Sequence, residues 1–131
     1  ESPRVQKAWD ITLQNLARLT RYCQDNQLPV VLVVFPYTFQ FSHPDRPAVP
    51  QQILQSFAEE AEVPLLDLLP AMEEYCASHD CTPPDLFLDA NHLTPRGGQA
   101  VAEMIVTFCD HSLPPGSLPG DGGAPTARPV E

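Results

Sequence analysis

The sequence predicts an α/β domain built on a parallel sheet. Three observations predict it. A long amphipathic helix pattern opens the chain, with Trp9, Leu13, Leu16, Leu19 and Cys23 at three- and four-residue steps. Residues 30–35 then read Val-Val-Leu-Val-Val-Phe, a run without polar alternation. Such a run suits a strand buried on both faces, as in parallel sheets. A second helix pattern and a second short apolar run follow, and helix alternating with strand is the mark of a layered α/β architecture.

The first helix should span residues 5–26, with Trp9 as a core anchor and Leu28-Pro29 ending it. The residue before a proline is biased away from helical backbone. Pro36 stops the first strand. Residues 37–49 form a loop with Tyr37, Phe39, Phe41 and His43. It leaves the C-terminal end of the strand, the edge where open α/β sheets place ligands. Two roles stay open for Tyr37, Phe39 and Phe41: lining an acyl or alcohol pocket, or covering the core. His43, with Asp45 nearby, is a weaker candidate base.

Residues 50–62 predict a second helix with Ile53, Leu54, Phe57, Ala58 and Ala61 on one face and Glu59, Glu60 and Glu62 in solvent. Residues 63–66 predict a short strand. Asp67 is a turn or cap residue before a helix at residues 71–77. A polar loop at residues 78–85 leads to a short extended segment, residues 86–88, and then to Asp89 and His92. Thr94-Pro95 starts the closing helix, residues 96–110. Threonine is a good N-cap and proline is tolerated at the first helical position. Ala100, Val101, Met104, Ile105 and Phe108 should face inward. Gly97 and Gly98 lower helix propensity, which suits a helix pressed close to neighbouring backbone. Arg96 is expected at the surface. Residues 113–131, rich in proline and glycine, predict a disordered tail.

Composition narrows the function classes. The 131 residues carry a formal charge of −10 with seven Lys and Arg in all. Nucleic-acid binding is not expected, since phosphate neutralisation needs clustered cations. No run approaches the roughly 20 apolar residues of a membrane span. Of four cysteines, Cys23 and Cys109 sit on apolar helix positions and read as free thiols. Whether Cys76 and Cys81 are bridged is open. His79 beside them lacks a clear fourth ligand for a metal.

Asp89 and His92 carry the chemistry. A carboxylate bound to one imidazole nitrogen fixes the tautomer and leaves the other nitrogen as a base. The string Asp89-x-x-His92-Leu93-Thr94-Pro95-x-Gly97, followed by an apolar helix, resembles the last conserved block of the SGNH (GDSL-type) hydrolases. The resemblance extends upstream through residues 30–36 and 63–70. It implies the C-terminal part of a flavodoxin-like three-layer α/β/α fold over residues 1–112. It also implies that Asp89 and His92 serve a catalytic serine, that no cofactor or metal is needed, and that the substrate is a small-molecule, carbohydrate or lipid ester. The family's Gly-Asp-Ser block and its oxyanion-hole glycine and asparagine have no counterpart here. None of Ser2, Ser42, Ser56, Ser78, Ser112 and Ser117 follows an apolar strand on a sharp turn into a helix. The expectation is therefore a C-terminal half whose nucleophile lies upstream, and an isolated chain without activity. Three alternatives go with it: acetyl transfer to or from a polysaccharide, a non-catalytic binding protein of the same fold, and metal binding by Asp85, Asp89 and His92.

Overall fold

The computed structural model describes residues 2–117, and among them the order is α1 (Pro3–Asp25), β1 (Leu32–Val34), α2 (Thr38–Ser42), α3 (Val49–Glu60), β2 (Leu65–Asp67), α4 (Leu68–His79), a 3₁₀ turn (Pro83–Leu86) and α5 (Pro95–Ser112). The chain is thus mixed α/β but mostly helical. Among the described residues the sheet has two parallel strands, with Leu32 paired to Leu65, Val33 to Leu66 and Val34 to Asp67. Most of the expected tail, residues 118–131, lies outside the described residues.

Local chemistry accounts for the helix ends. Ser2 caps α1 by accepting from the Val5 N–H, and Pro3 occupies its first turn. The helix stops at Asp25, before Leu28-Pro29, because Gln27 turns into left-handed backbone at φ 55° and the Leu28 N–H closes back on the Cys23 carbonyl at 2.8 Å. The end of α3 repeats this device, with Glu62 at φ 54° and the Val63 N–H on the Ala58 carbonyl at 2.9 Å. Asp67 is the N-cap of α4, its carboxylate accepting from the Leu69 N–H at 2.9 Å. That cap starts the helix at Leu68, three residues earlier than expected.

The core lies between α4, the 3₁₀ turn and α5, where Leu68, Met72, Cys76, Leu86, Phe87, Ala100 and Val101 are buried together. Val33 and Leu66 of the sheet pack against this cluster with Phe41, Met104 and Ile105. Gly97 sits where a Cβ would collide with the Leu86 carbonyl oxygen, so the first turn of α5 can approach the 3₁₀ turn only as glycine. A side chain at Gly98 would meet nothing.

Several expectations are corrected. β1 covers only residues 32–34 of the apolar run 30–35, and β2 starts two residues later than the expected 63–66 and runs on through Asp67, which pairs with Val34. Within residues 30–35 only Val34 is buried, and Phe35 is half exposed, because a two-stranded sheet covers little of either face. The loop at residues 37–49 holds the short helix α2, opened by a bond from the Tyr37 N–H to the Gln40 side chain at 2.8 Å. Leu86 belongs to the 3₁₀ turn rather than to an extended segment. On α1, Trp9, Leu13, Leu16 and Cys23 are half-buried, so Trp9 is not the core anchor expected of it, and Leu19 is exposed. The deepest residue of α1 is Thr20, whose hydroxyl is satisfied by the Ala17 carbonyl and can therefore be buried. Gln51 of α3 is also buried, paired with Gln40 of α2 through their side-chain amides.

Candidate functional site

The Asp89–His92 turn is framed by backbone bonds on both sides. Phe87 and Leu93 face each other in an isolated antiparallel bridge. The Leu88 N–H donates to the His92 carbonyl at 2.7 Å, and the Thr94 N–H donates to the Leu86 carbonyl at 2.9 Å. Phe87 and Leu93 anchor the base of the turn in the core. Residues 88–92 are pushed outward as a tight loop, and α5 starts at once behind it. Thr94 caps that helix, accepting from the Gly97 N–H at 3.0 Å with Pro95 in the first turn, as expected.

Inside the turn, Asp89 acts as an Asx-type acceptor. Its Oδ1 accepts from the backbone N–H of Asn91 at 3.0 Å and of His92 at 2.9 Å. The His92 ring lies against the same carboxylate, with Nδ1 at 2.9 Å from Oδ1 and 2.8 Å from Oδ2. An ionised carboxylate only accepts, so Nδ1 carries the proton and Nε2 presents its lone pair. The two backbone bonds, with the His92 ring after them, pull the Asp89 pKa down to about 2. At neutral pH the carboxylate is fully ionised and stabilises any positive charge that the imidazole acquires. Both side chains are open to solvent, His92 by 71% and Asp89 by 57%. Among the described residues nothing hydrogen-bonds Nε2.

The aromatic candidates divide. Tyr37 and Phe39 are exposed and stack on each other, ring centres 5.8 Å apart and planes 19° apart. Between them, Thr38 ties this segment to the dyad turn. Its backbone N–H donates to the Ala90 carbonyl at 2.9 Å, and its hydroxyl lies 3.4 Å from the same oxygen. Phe41 points the other way, against Phe87 with centroids 6.1 Å apart, and packs on the core. Thus Tyr37 and Phe39 flank the segment bound to the Asp89–His92 turn, and Phe41 covers the core. Thr38 had no signal in the sequence, because its partner lies 52 residues away.

The remaining candidates do not join the site. His43 uses Nδ1 on the Phe39 carbonyl one turn back, at 3.0 Å. Asp85 is engaged by Thr82, whose N–H and hydroxyl both donate to it, which lowers its pKa. Arg96 donates to the His79 carbonyl at 2.9 Å, pinning the start of α5 to the end of α4. Asp67 keeps its capping role, and burial raises its pKa against the opposing effect of the Leu69 bond. Among the described residues no three His, Cys, Asp or Glu side chains come together as a metal site, so Asp85, Asp89 and His92 are not assembled into one. No helix among them is long and apolar enough to cross a membrane. A cleft of about 540 Å³ opens between α4 and α5 over Tyr75, Met104 and Phe108, and neither dyad residue lines it. Comparison of the chain with family models, with curated proteins and with solved structures finds no match in any of the three.

Proposed function

We propose that Asp89 and His92 are the acid and base of a serine-dependent ester hydrolase of the SGNH kind, and that the nucleophilic serine comes from a segment N-terminal to Glu1. One observation carries the reading: the Asp89 carboxylate grips His92 Nδ1 with both oxygens, while Nε2, on a largely exposed side chain, has no hydrogen-bond partner among the described residues. That is the orientation a general base needs. In the proposed reaction the serine oxygen attacks the ester carbonyl carbon as its proton moves to Nε2. The tetrahedral intermediate then expels the alcohol, which takes that proton from His92, and an acyl-enzyme remains. Water attacks the acyl carbon, again losing a proton to Nε2, and the acid leaves as the serine is reprotonated. Asp89 holds the ring and offsets the charge of the imidazolium throughout. The stacked Tyr37 and Phe39, fixed beside the turn through Thr38, offer an apolar rest for an acyl or alcohol group.

The under-covered sheet supports the same reading. Residues 30–35 are apolar in both directions, yet most stay half-buried. In the proposed three-layer α/β/α fold, further strands and helices upstream would cover them and close the open side of the dyad.

The test compares a chain extended upstream of Glu1 with the 131-residue chain, using a fluorophosphonate serine probe and a chromogenic acetate ester. The extended chain should label on one serine and turn over. His92→Ala should cut turnover by about 10²–10⁴-fold, the usual contribution of a general base. The 131-residue chain should match buffer. Serine-dependent turnover by the 131-residue chain, or an extended chain indifferent to His92→Ala, would sink the proposal. Acetylated sugar rather than free acetate among the products would assign the same dyad to acetyl transfer.

The exposure of the pair favours one other reading, a non-catalytic protein in which Asp89 and His92 only close the turn. It predicts an extended chain that folds, binds no serine probe and loses stability but no activity on substitution of either residue.

A further inference from the structure

We propose that Cys76 and Cys81 are a thiol pair arranged to close into a disulfide, stapling the end of α4 to the connection that leads to the Asp89–His92 turn. The proposal does not depend on the dyad being catalytic.

The arrangement follows from how α4 stops. Asp80 takes left-handed backbone, φ 48° and ψ 56°, and reverses the chain. After such a reversal the next residue commonly packs on the one five positions before it. The other two helix ends of this kind place Leu28 with Cys23 and Val63 with Ala58, each closed by a backbone bond. At α4 the corresponding residues are Cys81 and Cys76, which share the left-handed reversal but not the backbone bond. Cys76 is buried in the main core, and Cys81 packs against that cluster from its edge. Both line one small cleft, about 420 Å³, walled by Phe41, Thr82, Pro83 and Pro84. Burial, and after it the hydrogen bond with the Cys81 side chain, pushes the Cys76 thiol up to about 12. The shared cleft and the packing of Cys81 on the cluster that holds Cys76 bring the two thiols to one place, as a bridge requires.

Their unequal exposure orders the steps. Cys81 is half-buried and reachable, whereas Cys76 is shielded. With oxidised glutathione as the oxidant, the Cys81 thiolate attacks one glutathione sulfur. The glutathione S–S bond breaks, one glutathione leaves as thiolate, and a mixed disulfide forms on Cys81. Cys76, after loss of its proton to solvent, attacks the Cys81 sulfur and displaces the second glutathione. Two protein thiols are oxidised, one glutathione disulfide is reduced to two thiols, and the two protons pass to the departing thiolates. The bridge would add a covalent tie to a segment already held on the far side by Arg96 on the His79 carbonyl and by Thr82 on Asp85.

The experiment equilibrates the 131-residue chain in mixtures of reduced and oxidised glutathione, quenches with N-ethylmaleimide under denaturing conditions, and maps peptides by mass. In excess oxidised glutathione the Cys76–Cys81 peptide should lose two hydrogens and take no alkyl group, while Cys23 and Cys109 stay alkylated. Cys76→Ser should stop at a glutathione adduct on Cys81. The oxidised chain should melt higher than the reduced one, and Cys81→Ser should abolish that difference. Full alkylation of both residues in excess oxidised glutathione overturns the proposal, as does a bridge to Cys23 or Cys109. The mass result on the unsubstituted chain decides the matter even if a variant fails to fold.

Discussion

At the scale of single residues, the Asp89 carboxylate gathers three donors on one side of a five-residue turn: the Asn91 and His92 N–H groups and the His92 ring. Each favours the ionised form, which sets the direction of its pH dependence. The folded pKa, about 2, lies below the ordinary value of 3.8. The contribution of these bonds to folding is therefore complete above about pH 4 and is lost as pH falls through about 2. Carbon-detected NMR of the Asp89 carboxyl should show a midpoint near 2, with the Asn91 and His92 amide shifts moving in step. A midpoint at the ordinary value would mean that the turn is not closed in solution. The pair itself was legible in the sequence because residues three apart in a tight turn are brought together by local backbone alone. The division among the aromatics was not. Tyr37, Phe39 and Phe41 look alike as letters, and only the position of Phe87, 46 residues beyond Phe41, turns one of them inward.

At the scale of elements, α5 is the helix on which the candidate site rests, and its first turn shows two glycines doing different things. Gly97 is buried against the Leu86 carbonyl, whereas Gly98 faces open space. Gly98→Ala should stabilise the chain by about 0.8–1.0 kcal/mol, the helix-propensity difference in an exposed helix interior. Gly97→Ala should destabilise it by about 1–3 kcal/mol or more, since the new methyl meets backbone that can only give way by shifting the 3₁₀ turn. Urea unfolding of the two variants gives both numbers. Equal effects would mean that α5 does not press on that turn. The sequence flagged close approach in this glycine pair but could not say which of the two needed it. The start of the helix, by contrast, was written in Thr94-Pro95, because capping is satisfied within four residues. Start positions elsewhere moved where a cap acted earlier than the apolar pattern, as at Asp67 and Leu68.

At the scale of the whole molecule, burial is uneven. The cluster around α4, the 3₁₀ turn and α5 is a true core, whereas α1 buries only Thr20 of its 23 residues. One side-chain bond, from Gln24 to the Ala61 carbonyl at 2.9 Å, links the end of α1 to the end of α3. Regions with few buried contacts open locally at low free-energy cost. Amide hydrogen exchange should therefore be fast along α1 and slow across α4 and α5. Uniform protection of α1 would show that its half-buried stripe packs more firmly than its exposure suggests. If the proposed upstream segment completes the sheet, α1 amides should gain protection in the extended chain.

Features that depend on neighbours within one turn of backbone were legible in the residues alone. The α/β alternation was legible from apolar periodicity over longer segments; the local features are the caps at Thr94 and Asp67 and the juxtaposition of Asp89 with His92. Hydrogen bonds and steric limits over three or four residues are enough to specify them. Tertiary structure alone decided which apolar residues are buried, since burial depends on surface brought from far along the chain. It left the Val-rich run half covered and drew Phe41 into the core. It fixed Thr38 to Ala90 across 52 residues and folded Cys81 back toward Cys76 beyond a left-handed Asp80. No local pattern records those distances, because each is set by how α4 and α5 stack around Leu86 and Phe87.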